Sequence, residues 1–387
     1  MAKLQFVAGN QLQLLHCGSD FFATLLREIQ HAQREIYLET YIFSDDAIAN
    51  QIRNALCDAA QRGVAVHVII DWVGSGDARA NALAQKFSSA GVACRRFNPW
   101  FKRGLARNHR KLAVFDAKRA LIGGINIIDD YLADDGSGAR LPFPRWDFAV
   151  LLEGALVAQV HKEIEAQWLR IGRLGFSARL SLGWRLRLPA PQTNTGPMHA
   201  AFVIRDNLRN RATIQRAYLQ ALGMAKKLAI LANPYFAPGR KFRQALISAA
   251  SRGVDVTLLI GVGEFHLQDA VTRSFYPKLL SHNVKIVEYR KTQLHAKVAV
   301  IDDDWATVGS SNVDGLSLFL NHEANIVIRN AEFCASLRRH LATGVQDGVP
   351  IALADYINRS WFERFWHGCA YVIYRTAMKI VTWGGYT

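Results

Sequence analysis

The chain is written twice, and that repeat constrains its fold more than any other feature. Residues 53–70, RNALCDAAQRGVAVHVII, match residues 243–260, RQALISAASRGVDVTLLI. Both predict an amphipathic helix closed by Arg-Gly and followed by a β-branched strand. Gly63 and Gly253 stand where a helix end favours positive φ. Upstream, REIYLETYIF (34–43) matches KLAILANPYF (227–236); downstream, GVACRRFNP (91–99) matches NVKIVEYRK (283–291). Helices alternating with strands predict an α/β sheet with a parallel portion, covered on both faces. The expected divisions are a first half at 1–172, a basic linker or surface excursion at 173–199, a second half at 200–345 and a tail at 346–387. Halves packed about a pseudo-twofold axis would bring matching loops together.

The repeat carries polar residues on apolar strands. NHRKLAVFD (108–116) and LHAKVAVID (294–302) both read His-x-Lys, four residues, Asp. On a strand, residues i and i+2 share a face, so His109 points with Lys111, and His295 with Lys297. Beyond each aspartate, Asp116 and Asp302, comes a glycine turn ending in Asn126 or Asn312. One composite site with two imidazoles suits phosphodiester chemistry. A neutral His can attack phosphorus, and a protonated one can supply the leaving alkoxide with a proton. An imidazole pKa of about 6.5 suits both states. The lysines supply positive charge, and Asn126, Asn312 and Ser310 supply donors for phosphoryl oxygens. No carboxylate cluster calls for a metal, and no cofactor is expected.

The formal charge of +15 favours anionic partners. Five scattered cysteines without CxxC spacing read as reduced thiols and point to a cytosolic setting. The N-terminus lacks a signal-peptide pattern, and no apolar run reaches the roughly 18 residues of a spanning helix. A membrane would therefore be met from its surface.

The complete pattern, HxKx4Dx6GxxN in both halves, resembles the phospholipase D superfamily. LETYIF (38–43), NPYFAPG (233–239) and the two motif segments are most similar to bacterial cardiolipin synthases of the form without N-terminal spans. The resemblance implies two homologous α/β/α sandwich halves with one composite active site. It implies a catalytic set of His109, Lys111, Asp116, His295, Lys297 and Asp302. The two aspartates, as strand-end carboxylates, are expected to bond loop backbone more than to do chemistry. By resemblance, His109 is the nucleophile and His295 the acid/base. Asp147 and Glu323 are the carboxylates that hold the His rings, and Glu39, Tyr41, Asn233 and Tyr235 lie at strand ends near the site. The implied reaction is phosphatidyl transfer from one phosphatidylglycerol to another through a phosphohistidine, giving cardiolipin and glycerol. The alternative is a lipase-type hydrolase or nuclease on the same site.

Two basic segments interleaved with aromatics suit an anionic bilayer surface, and also single-stranded nucleic acid or a solvated face over a small satellite core. RRFNPWFKRGLARNHRK (95–111) carries seven Arg or Lys and no acid, with aromatics between them. Residues 170–187 add five Arg in a similar setting. The tail, SWFERFWHGCAYVIYRTAMKIVTWGGYT (360–387), shifts the balance towards lipid, reading as an interfacial helix with an aromatic belt, with a C-terminal helix docked on the core as the alternative. The expected partners are phosphatidylglycerol and an anionic membrane surface, with no nucleic acid. The expected location is the cytoplasmic face of the inner membrane, held peripherally.

Overall fold

The computed structural model describes residues 4–133, 137–172, 194–207, 209–358 and 360–381, without side-chain detail at 101–103, 357, 364 and 381. Most of the expected linker, 173–193, lies outside the described residues.

The first half contributes β1 (Val7–His16), β2 (Glu35–Thr40), β3 (Ala65–Asp71), β4 (Ala93–Phe97), β5 (Lys102–Leu105), β6 (Leu112–Phe115), β7 (Arg119–Gly123) and β8 (Phe148–Gly154). The second contributes β9 (Met198–Arg205), β10 (Leu228–Asn233), β11 (Asp255–Gly261), β12 (Lys285–Tyr289), β13 (Val298–Ile301), β14 (Trp305–Gly309), β15 (Glu323–Arg329) and β16 (Val349–Pro350). The sheet order is β16-β12-β11-β10-β13-β14-β15-β9-β1-β8-β7-β6-β2-β3-β4. Apart from the edge strand β16, this order mirrors itself about the β9–β1 junction. In each half three strands run parallel (β2-β3-β4 and β10-β11-β12), and the motif strand pairs antiparallel beside them. The chain is thus a mixed α/β fold of two equivalent halves.

Each parallel trio follows from its βα crossovers, which need helices on the faces. The helix Ala47–Gln61 begins at Asp46, whose carboxylate accepts from the Ala49 amide at 2.8 Å. Gly63 and Gly253 close the matching helices at φ +90° and +89°, the left-handed backbone the sequence predicts there. The helices Cys17–His31 and Ala47–Gln61 cover the outer face of the first half, and Thr213–Met224 and Arg240–Ser251 that of the second.

The two half-sheets also pack face to face. Val114, Ile122 and Val150 share one buried core with Val300, Val308 and Ile326. Removing one such side chain from water stabilises the fold by about 1.5–3 kcal/mol. This shared core fixes the two motif strands against each other.

Sequence reasoning had no place for β1 and β9, which join the halves into one sheet. β1 (VAGNQLQLLH) alternates only partly, with Leu12 and Leu15 buried, and was visible only as a stretch lacking a signal peptide. β9 begins at Met198, inside the expected excursion.

Candidate active site

Each motif histidine is delivered by main-chain bridging between halves. His109 N–H donates to the His322 carbonyl at 2.9 Å, and His322 N–H donates back to Arg107 at 2.8 Å. The second half repeats this arrangement. His295 N–H donates to the Trp146 carbonyl and Trp146 N–H to Gln293, both at 2.9 Å. The next residue in each bridging segment is a carboxylate, Glu323 after His322 and Asp147 after Trp146. The bridge therefore sets each carboxylate beside the other half's histidine.

His109 Nδ1 lies 3.1 Å from both Glu323 oxygens and 3.0 Å from the Ser310 carbonyl. A carbonyl oxygen only accepts, so Nδ1 carries the proton and Nε2 keeps its lone pair. Burial pushes the His109 pKa down, and Lys111 and Lys297 add to this against the raising effect of Glu323. Burial alone would raise Glu323, yet His109, Lys111 and the Ser310 hydroxyl outweigh it and leave the carboxyl below its ordinary value. The pair is a neutral imidazole on an ionised carboxylate.

His295 Nδ1 lies 2.6 Å from Asp147 Oδ2. Asp147 is pushed up to about 6 by burial, against Lys297, its Phe148 amide and Lys111. Lys297 Nζ stands 3.8 Å from the same oxygen. Each motif lysine also donates to the carbonyl of its own histidine, Lys111 to His109 at 2.8 Å and Lys297 to His295.

The histidines face a pocket of about 340 Å³ lined also by Tyr41, Arg107, Asn126, Tyr235, Asn312 and Asp314. Asn126 Oδ1 accepts from the Ile42 amide at 3.3 Å. Asn312 Oδ1 is buried with no hydrogen-bond partner among the described residues. Tyr41 meets the His109 ring edge to face at 4.8 Å between centroids.

Not every expected residue reaches this pocket. Ser310 was expected to hold phosphate, but its hydroxyl donates to Glu323 and accepts from the Ala324 amide at 3.0 Å. It holds the carboxylate rather than facing the cavity. Gly124 takes the matching position in the first half, and a Cβ there would collide with the Asp147 carboxylate. Asp116 and Asp302 sit at the strand ends away from the histidines. Asp116 accepts from the amides of Gln33, Arg34 and Glu35. Asp302 accepts from those of Lys226, Lys227 and Leu228. Asn233 accepts from the Val313 amide at 2.9 Å. Glu39 is fully buried beneath the site, where burial raises it to about 6 against the charge of Arg110.

Two residues that hold the site were missed. Asp71 Oδ2 accepts from the Asn108 amide at 2.7 Å, fixing the residue before His109. Arg110 is wholly buried and pairs with Glu163 at 3.1 Å. Its position, between His109 and Lys111, was the only sequence signal; alternation turns it to the opposite face.

The geometry has counterparts in known proteins. The family model described as "Cardiolipin synthase, PLD-like domain" matches residues 25–136 and 218–343, one range in each half.

The chain belongs to this cardiolipin synthase, PLD-like family.

Among its curated members, cardiolipin synthase B of Salmonella typhimurium is 36% identical over 97% of this chain and 90% of that protein. Cardiolipin synthase B of Escherichia coli strain K12 is 37% identical over 88% and 81%. In fold, the phosphatidylserine synthase of Haemophilus influenzae superposes with a TM-score of 0.72 at 14% identity, covering 98% of this chain and 96% of that one. These relatives place the two half-motifs in one phospholipase D-like architecture.

The basic segment before His109 is less of an open cationic face than its sequence implies. Arg95 lies 3.9 Å over the Trp168 ring, and Arg96 donates to Asn81. With Arg110 and Lys111 buried, these cations serve the fold and site. Trp100 and Leu105 do stand exposed. The residues of the 170–187 segment from 173 onward lie outside the described residues.

Proposed function

We propose that this chain is a cardiolipin synthase, a phosphatidyltransferase acting through His109 and His295. The observation that carries the reading is the crossed pair of imidazoles, each tied by a carboxylate of the other half and both facing one pocket. The curated relatives named cardiolipin synthase B, similar over nearly the whole chain, support the substrate class.

The His109 lone pair attacks the phosphorus of one phosphatidylglycerol. The bond from phosphorus to the glycerol oxygen breaks, and protonated His295 gives that oxygen its proton. The phosphatidyl group rests on His109 as a phosphohistidine. A terminal hydroxyl of a second phosphatidylglycerol then attacks, losing its proton to His295, and the P–N bond breaks. Lys111, Lys297, Asn126 and Asn312 offset the charge on the phosphoryl oxygens. The Asp147 carboxylate offsets the positive charge on His295 as the acid.

The tail supports delivery from a bilayer. The helix Trp361–Val381 buries Ala370 and Met378 and sets Tyr371 against Phe275. Its Tyr374 hydroxyl accepts from the Gly315 amide at 2.8 Å, next to Asp314 of the pocket. The rest of the helix turns outward Trp361 (76% exposed), Phe362, Phe365, Ile373 and Ile380 (72%), with Arg375 and Lys379 nearby. No described helix is long and apolar enough to cross a membrane. An aromatic face with basic residues suits the surface of an anionic bilayer, on the cytoplasmic side in this reading.

The test is thin-layer chromatography of labelled phosphatidylglycerol vesicles after incubation with the purified chain. A cardiolipin spot that disappears in His109→Ala and His295→Ala is the expected result. Phosphatidic acid as the sole product would make the chain a hydrolase and sink the reading.

A further inference from the structure

The motif groups account for one phosphate, but cardiolipin contains two. The donor phosphatidylglycerol brings only the phosphate under attack. A second phosphate in the pocket can therefore belong only to the acceptor. It must sit one glycerol away from the reacting phosphorus, and it needs its own cation to leave water.

Among the described residues lining the pocket, Arg107 is the only Arg or Lys. Its main-chain carbonyl is fixed by the bridge to His322. Its Nη1 donates to the Tyr41 hydroxyl at 3.3 Å, while the Tyr41 ring meets His109. One tyrosine ring thus spaces the guanidinium from the nucleophile. The position equivalent to Arg107 in the second half is Gln293, which is buried and accepts from Arg145 Nε at 2.9 Å. Among the described residues, this pocket-lining cation has no counterpart in the second half.

We propose that Arg107, steadied by Tyr41, forms an acceptor subsite that binds the phosphodiester of the incoming alcohol. The inference rests on the synthase reading above. A planar guanidinium holds two phosphate oxygens at once, which orients the acceptor's free hydroxyl towards the phosphohistidine. The subsite selects an alcohol that carries a phosphodiester over water and over simple alcohols. Arg107 would be a specificity residue, with the donor step left to the motif groups.

The experiment is competition within one reaction. Phosphatidylglycerol vesicles with added 1-propanol offer the intermediate two acceptors, one with a phosphate and one without. The measured quantity is the ratio of cardiolipin to phosphatidylpropanol for wild type, Arg107→Gln and Arg107→Lys. The expected ratio falls about tenfold or more in Arg107→Gln, the loss of one charged hydrogen-bonding partner, and less in Arg107→Lys. An unchanged ratio overturns the proposal. So does an equal fall of both products in folded protein, because Arg107 would then serve the donor phosphate. If wild type gives phosphatidylpropanol but no cardiolipin, the synthase reading has failed, and that result precedes any comparison of variants.

Discussion

His109 Nδ1 rests 3.1 Å from both oxygens of Glu323, 214 positions further along the chain. Neither motif histidine is paired with a carboxylate of its own half: His295 likewise rests on Asp147. The motif histidine of each half is held by a carboxylate of the other, so this arrangement exists only when the halves are docked.

This pair makes a pH prediction. Burial holds His109 below its ordinary value, and Glu323 opposes that shift. His109 therefore stays neutral as pH falls past about 6.5 and is lost only at lower pH. Glu323→Gln removes the raising influence. The acid limb of kcat/KM should move to still lower pH, while the rate falls by about 10²-fold as the ring loses its orientation. An acid limb that moves upward would show that another group sets it.

Trapping should separate the two histidines. Rapid acid-free quenching and mass spectrometry of the His295→Asn variant should find phosphatidyl on the His109 peptide. His109→Asn should show none. An adduct on His295 would reverse the assigned roles.

Asp116 and Asp302 each collect three backbone amides of the turn leading into a neighbouring strand and stand clear of the pocket. Asp116→Ala should cost roughly 1–3 kcal/mol of stability, read in denaturant melts. Turnover per folded molecule should stay within a few-fold of wild type. A loss of 10³-fold without loss of stability would place Asp116 in the chemistry.

Gly124 leaves the space that the Asp147 carboxylate occupies. Gly124→Ala should displace Asp147 from His295 and lower turnover at least tenfold. Ser310→Ala, which removes the hydroxyl bonded to Glu323, should cost less because His109 keeps both Glu323 oxygens. Equal effects of the two would mean that the Asp147 contact is not specially constrained.

The exposed tail aromatics make a surface prediction. Exchanging Trp361, Phe362 and Phe365 for Ser together should abolish co-sedimentation with anionic vesicles, since each ring contributes about 1–2 kcal/mol when it leaves water. Turnover of a short-chain, monomeric phosphatidylglycerol should persist. Unaltered vesicle binding would move the docking surface to another face, with exposed Trp100 the next candidate.

Much of this molecule is legible locally. The alternation of helix and strand, the glycine caps at Gly63 and Gly253, and the placing of His109 with Lys111 on one face follow from periods of 3.6 and 2 and from the backbone freedom of glycine. The duplication tells a reader that matching loops meet. The chain alone thus determines the fold class, the doubled motif and the kind of chemistry such groups perform. It does not determine which carboxylate serves which histidine, because Asp147 and Glu323 are each a plausible partner for either ring. That choice belongs to the bridges Asn108–His322 and Trp146–Leu294, contacts between segments far apart in sequence. The turning of Ser310 to Glu323 and the pairing of Arg110 with Glu163 are also tertiary contacts, each made inside one half between residues that local periodicity does not join. The crossed pairing depends on where one half's surface falls against the other's, and only packing the two half-sheets into one core sets that position.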